Sequence, residues 1–259
     1  MVKILEGVRK SSNGRYIIDY TLDEFDDIIQ LTGPVLHKSN LYGNAYYFGY
    51  EFNASASSKD RSEFIKAMKG NGDNVLSEFE LQQLIANPLA DLDHQIGLRS
   101  IDALVYPVSR LNNLVKHIVN VTNSMLPHGV GYASYEVIKN IPSQVEFDYD
   151  KFAADRGGED SQSFKDSLPY IEDMMRKIKS LDYFSIARDA KPKYRPYIMN
   201  YLKLAGTFSN KLSALVNAKR ILLIDDINTS GSTLRELLRI IRNINISAQI
   251  FVYTLIGKR

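Results

Sequence analysis

From about Ser100 onward, short apolar runs of strand length alternate with one-sided stripes of helical period. Asp102-Ala103-Leu104-Val105-Tyr106 predicts a strand. Leu111, Leu114, Val115, Ile118 and Val119 then fall at i, i+3, i+4, i+7 and i+8, a helix with one apolar face. Tyr132 to Lys139 predicts the next strand, with Val137 and Ile138 at its apolar end. Ile221-Leu222-Leu223-Ile224 is four aliphatics without alternation, which suits a central parallel strand covered on both faces. In the helix after it Leu234, Leu237, Leu238 and Ile241 face inward and Arg235, Arg239 and Arg242 outward, and Ile250 to Ile256 predicts a closing strand. This alternation over 99–259 implies an α/β core: a mostly parallel sheet flanked by helices and joined by right-handed crossovers.

Residues 1–98 read as an accessory α+β region. Arg15 to Tyr20 predicts a strand, and Thr21 with Glu24 a capping box before Leu22, Phe25, Ile28 and Ile29 at helical spacing, closed by Gly33-Pro34. Ala45 to Phe52, rich in Tyr and Phe, predicts a second strand whose tyrosines either line a half-buried face or stack on a base. Arg61 to Lys69 predicts a helix with Phe64, Ile65 and Met68 on one side. Ser77 and Glu80 cap another over Leu81, Leu84 and Ile85, ended by Pro88, with Leu89, Leu92 and Ile96 adding a further turn or two. Such a region suits a lid or a partner contact.

Within the core, residues 141–190 read as an insertion. Glu146 to Asp150 and Asp155 to Asp160 have loop composition, and a helix is expected from Leu168 to Leu181. Pro196 can open a helix as its first residue, with Tyr197, Tyr201 and Leu204 on one side and Gly206 at its end.

Composition narrows the function classes. The chain has 259 residues, enough for one large domain or a domain with a subdomain, and Lys+Arg 32 against Asp+Glu 30 gives only +2. No global basic field therefore argues for nucleic acid. Zero cysteines exclude disulfides, thiolate catalysis and cysteine-based zinc sites. Neither a signal peptide nor an apolar run of membrane-spanning length is present, so a cytoplasmic protein without a membrane partner is expected.

The chemistry concentrates where the Ile221–Ile224 strand ends. Asp225 and Asp226 fall at the usual ligand edge of an open α/β sheet. Thr229, Ser230, Ser232 and Thr233 offer four hydroxyls, and Gly231 lets the backbone approach a ligand closely. The helix is expected to begin at about Leu234, with Thr233 and Glu236 as a capping box, and its start is suited to phosphate. Carboxylates beside a phosphate cradle imply a ligand with both a phosphate and hydroxyls, or a cation. A Walker B strand would need a Gly-x-x-x-x-Gly-Lys-Ser/Thr loop, which the chain lacks, and an Asp-x-Asp phosphatase would need an acid at Ile227.

Asp225-Asp226-Ile227-Asn228-Thr229-Ser230-Gly231-Ser232-Thr233, after its apolar strand, resembles the phosphoribosyl-pyrophosphate (PRPP) motif of type I phosphoribosyltransferases, and Pro107 to Leu111 looks like the pyrophosphate loop of their ComF-like branch. The resemblance implies a 5-phosphate on Thr229–Thr233. It implies Asp225 and Asp226 on the ribose hydroxyls, directly or through Mg2+-bound water, as catalytic and metal-associated residues. Pyrophosphate would then lie near Pro107 to Leu111, where the paired glycines of many members are missing and Ser109 and Arg110 are the side-chain candidates. Lys139 stands where several members carry a basic residue. Arg188, Lys191, Lys193 and Arg195, four cations in eight residues, either face the anion or form a solvated loop. His117 reads as a surface or packing residue. The implied activity is phosphoribosyl transfer to or from a nitrogenous base. The alternatives are a PRPP-binding or nucleotide-binding regulator without turnover, or an effector subunit of a bacterial defence system working with a protein or nucleic-acid partner. A homodimer is compatible with each, and the acceptor base carries no signature.

Overall fold

The computed structural model describes residues 6–10, 16–19, 29–31, 36–52, 57–70, 76–108, 113–126, 133–206, 209–228 and 231–257. The first half contains β1 (Glu6–Lys10), β2 (Tyr16–Asp19), β3 (Ile29–Leu31), β4 (His37–Leu41), β5 (Asn44–Glu51), α1 (Ser58–Met68), α2 (Glu78–Ile96), β6 (Ala103–Pro107) and α3 (Leu114–Ser124). There follow β7 (Ala133–Lys139), β8 (Glu146–Phe147), α4 (Tyr149–Asp155), α5 (Gln162–Lys179), α6 (Ile186–Asp189), β9 (Ile198–Met199) and β10 (Leu202–Leu204). The chain continues through α7 (Ser209–Asn217), β11 (Arg220–Ile227), α8 (Ser232–Ile244) and β12 (Gln249–Gly257).

Seven strands make one sheet in the order β10-β7-β6-β11-β12-β5-β4; the inner five are parallel and the two edge strands antiparallel. β11 is therefore the middle strand, and Ile221 to Ile224 are fully buried, as an unbroken aliphatic run in a doubly covered sheet requires. One face packs on α8, and Ile221 and Leu223 share its core with Leu234 and Leu237 and with Ile171 of α5. The other packs on α1, α2 and α3, where Leu222 and Ile224 meet Phe64, Leu89 and Ile118. No described helix is long and apolar enough to cross a membrane.

The expected boundary near Ser100 runs through this sheet. β5 pairs parallel with β12, Tyr46 against Val252 and Phe48 against Thr254, and β4 extends the sheet beyond it. Tyr46 and Phe48 enter one core while Tyr47 and Tyr50 enter the other, so the strand is buried on both faces and those tyrosines are unavailable to stack on a base. β1 to β3 form a separate small sheet. Of the helix expected from Leu22 up to Gly33-Pro34, residues 29–31 lie within the described residues, and Ile29 is their one position on its apolar stripe. It stands in β3, paired with Val8.

The Ser77 capping box is present: Glu80 N–H donates to Ser77 Oγ at 3.2 Å and Ser77 N–H to Glu80 Oε2 at 2.9 Å. Pro88 does not end the helix, which runs on to Ile96. Proline cannot donate to the carbonyl four residues back, here that of Leu84, and the Tyr50 hydroxyl donates to that carbonyl instead at 2.8 Å.

The insertion is folded rather than loop-like. Asp148 caps α4 and Ser161 caps α5, which begins well before Leu168. Phe147, Phe152, Phe164, Tyr194 and Tyr197 meet as an aromatic cluster. Pro196 opens only a short 3-10 turn, after which β9 and β10 flank Asn200 at φ 58°. Tyr197 thus ends that turn, Tyr201 precedes β10 and Leu204 lies in it; β9 pairs with β8, β10 joins the sheet edge antiparallel to β7, and none of the three residues lies in an α-helix.

Candidate functional site

The two acids end β11 at the C-terminal edge of the parallel strands, and both are buried. Successive strand residues face opposite sides. Asp225 turns toward the α8 face and Asp226 toward the α1–α3 face, where Lys69, the residue after α1, places its ammonium 2.6 Å from Asp226 Oδ2. Asp226 N–H donates to Asp225 Oδ1 at 2.9 Å, and Ile227 N–H to Asp226 Oδ1 at 2.7 Å. Burial first, then the neighbouring Asp226 charge, holds the Asp225 carboxyl well above the usual carboxylate range, against the pull of that Asp226 N–H and of Lys69. Burial thus favours the protonated form of Asp225 more than in a free carboxyl, while Asp226 forms the ion pair.

The turn beyond the acids is built on Gly231, the N-cap of α8, at φ 71°. That conformation favours glycine and lets the helix begin at Ser232 rather than Leu234. The expected capping box is not formed. Glu236 is buried and accepts two bonds from Arg239, at 2.9 and 2.8 Å, and no side chain among the described residues caps α8. Gly231 carries no side chain that could accept from the first-turn N–H groups, which lack partners within any helix. Asn228 lies under the turn. Its N–H donates to Ile256 O at 2.9 Å, and its buried Oδ1 has no hydrogen-bond partner among the described residues. Thr229 and Ser230 lie outside the described residues; Ser232 is buried and Thr233 half-buried.

Two further groups border the turn. Tyr42, in the β4–β5 turn at φ 50°, brings its hydroxyl 3.2 Å from where a Cβ on Gly231 would stand. Arg235 donates to that hydroxyl at 2.7 Å, stacks over the ring at 5.0 Å and also donates to Pro196 O. On the α8 face, the buried Tyr201 hydroxyl lies near Glu236 and Asp225; burial, with those carboxylates adding, pushes its phenol well above the ordinary range.

The other expected contact residues are placed differently. Lys139 ends β7, two strands from β11 and so about 10 Å to one side, with its ammonium over the Tyr183 ring at 4.1 Å. Arg188 pairs with Asp189 at 2.6 Å, Lys191 sits 4.2 Å from the Tyr170 ring centre and Lys193 4.7 Å from that of Tyr194. Arg195 donates to Ala190 O and Ala187 O. These cations are engaged locally rather than gathered on the acids. Ser109 and Arg110 lie outside the described residues. His117 is half-buried in α3 and lines a groove against α2.

Lys69, Tyr42 and Arg235 escaped the sequence reading. A lysine at the end of a helix reads as a complement to the helix dipole, and Arg235 reads as a solvated position on an amphipathic helix. No local spacing carries either contact.

The two acids suit a Mg2+ carried by a ligand's phosphates. Among the described residues no group of three or more His, Cys, Asp or Glu gathers, the two carboxylates diverge, and Asp226 is already held by Lys69. Mg2+ on substrate phosphates needs few protein ligands and keeps several waters. No protein-family model matches the chain, and no curated protein matches it.

Proposed function

We propose that the chain binds PRPP or a related phosphoribosyl nucleotide at the C-terminal edge of β11 and transfers the phosphoribosyl group to or from a nitrogenous base, with pyrophosphate as leaving group. The observation that carries this reading is one juxtaposition: buried Asp225 and Asp226 end the middle strand, and a left-handed Gly231 then opens α8 without a side-chain cap. The 5-phosphate is assigned to the N–H groups and hydroxyls of Thr229, Ser230, Gly231, Ser232 and Thr233, where the helix dipole adds up to about 2 kcal/mol.

The ribose hydroxyls are assigned to Asp225 and Asp226. In its protonated form, which burial favours, Asp225 can donate to a hydroxyl oxygen, while Asp226 accepts from another. As the bond to pyrophosphate breaks, positive charge develops at the anomeric carbon, and the fixed Asp226 carboxylate stabilises it without needing to reorganise. Mg2+ bound to the diphosphate would neutralise the leaving group.

A second reading, binding without turnover, draws on the engagement of Arg188, Lys191 and Arg195 within the insertion. Calorimetry with PRPP and Mg2+, followed by a screen of bases for pyrophosphate release, separates the two. Failure of PRPP to bind removes both; binding without release for any base leaves the regulator.

A further inference from the structure

We propose that Lys69 determines ligand specificity at this site by taking the second anionic group of a ligand whose first phosphate rests on the start of α8. The proposal rests on the phosphoribosyl reading and deepens it.

The topology sets out where the two ends of such a ligand lie. β11 passes into α8 on one face of the sheet, whereas its neighbour β6 passes into α3 on the other. Asp226 and Lys69 lie on the α3 side. A ligand with one phosphate at Gly231 and its hydroxyls on the acids therefore has its remaining end on the Lys69 side, toward the end of β6, which lies about 5 Å from β11.

The chemistry of Lys69 suits that end. An ammonium carries three donors. The bond to Asp226 uses one. Its side chain keeps 25% of its exposure, so it can still meet a ligand, while Asp226 keeps 9%. A carboxylate–ammonium pair this enclosed is a weak device for stability, because desolvation offsets most of the attraction. As a point charge on a flexible stem, lysine can instead share its ammonium between Asp226 and an incoming phosphate. The ligand class is a sugar phosphate with a second phosphate or diphosphate one or two carbons from its hydroxyls, distinguished from the corresponding monophosphate.

The test is calorimetry in Mg2+ with PRPP and with ribose 5-phosphate, on the wild type, Lys69→Met and Lys69→Arg, with thermal melts alongside. The wild type should bind both compounds. Lys69→Met should lose about tenfold or more in PRPP affinity and change less than about threefold for ribose 5-phosphate, and Lys69→Arg should recover most of the loss. Equal loss of both ligands in Lys69→Met without rescue by arginine would make Lys69 a purely structural partner of Asp226 and overturn the proposal, as would unchanged PRPP binding. A wild type that binds neither compound overturns the phosphoribosyl reading itself, and the proposal with it, before any variant is compared.

Discussion

The Tyr50 hydroxyl occupies the carbonyl of Leu84, the acceptor that Pro88 leaves vacant one turn later in α2. One side chain on the sheet thus lets a helix continue through a proline. Tyr50→Phe strands a buried carbonyl and should cost about 1–3 kcal/mol. In a Pro88→Ala background the restored N–H fills the same acceptor, so the cost of Tyr50→Phe should shrink. Denaturant melts of the four proteins in the cycle decide it, and an identical cost in both backgrounds would rule out the compensation.

Asp225→Asn and Asp226→Asn should move stability in opposite directions. Asp225 is raised above its ordinary 3.8 in the folded state. Its favourable contribution is therefore complete below about pH 4 and is lost as pH rises toward the elevated folded value. Asp225→Asn removes that loss, and its melting temperature should exceed the wild type's at pH 8 by more than at pH 4. Asp226→Asn leaves the Lys69 ammonium without its carboxylate. The cost should be on the order of 2 kcal/mol, below the ~3–5 kcal/mol of fully buried pairs because Lys69 remains partly solvated. Matching shifts in the two variants would contradict the assignment of Asp225 as the carboxyl raised by burial.

Gly231→Val places a β-branched residue at φ 71°, beside the Tyr42 hydroxyl. Backbone strain alone should cost about 1–2 kcal/mol. Folded Gly231→Val should no longer bind PRPP in calorimetry; retained binding would mean that the phosphate does not sit on this turn.

Phe152, fully buried in the aromatic cluster of the insertion, should cost about 3–5 kcal/mol when cut to alanine. A change below 1 kcal/mol in chemical denaturation, far under that range, would show that residues 141–190 are peripheral to the core.

What was legible in the chain followed from local periodicity. The Ile221–Ile224 run, the α8 and α3 stripes and the Ser77 capping box each declare themselves within a few residues, and each is present. What escaped depends on partners distant in sequence. Pro88 looked terminal because its remedy, Tyr50, lies on another element. Acidic residues at 146–150 suggested a loop because Phe147 and Phe152 find their aromatic partners at Tyr194 and Tyr197. The Lys69 contact with Asp226 spans most of the chain, so the motif displayed its acids and hid the cation between them and α1.

The pairing of β5 with β12 orders events in time. Tyr46 and Thr254, whose hydroxyls meet at 2.9 Å, are 208 residues apart. During synthesis the β4–β5 hairpin leaves the ribosome early, with aromatic side chains on both surfaces and an unpaired edge, and waits for β12 to be made. Such a nascent intermediate is prone to edge-to-edge aggregation and slow to complete its long-range closure. Nascent chains stalled before residue 249 should therefore be bound by chaperones, and released once β12 has emerged.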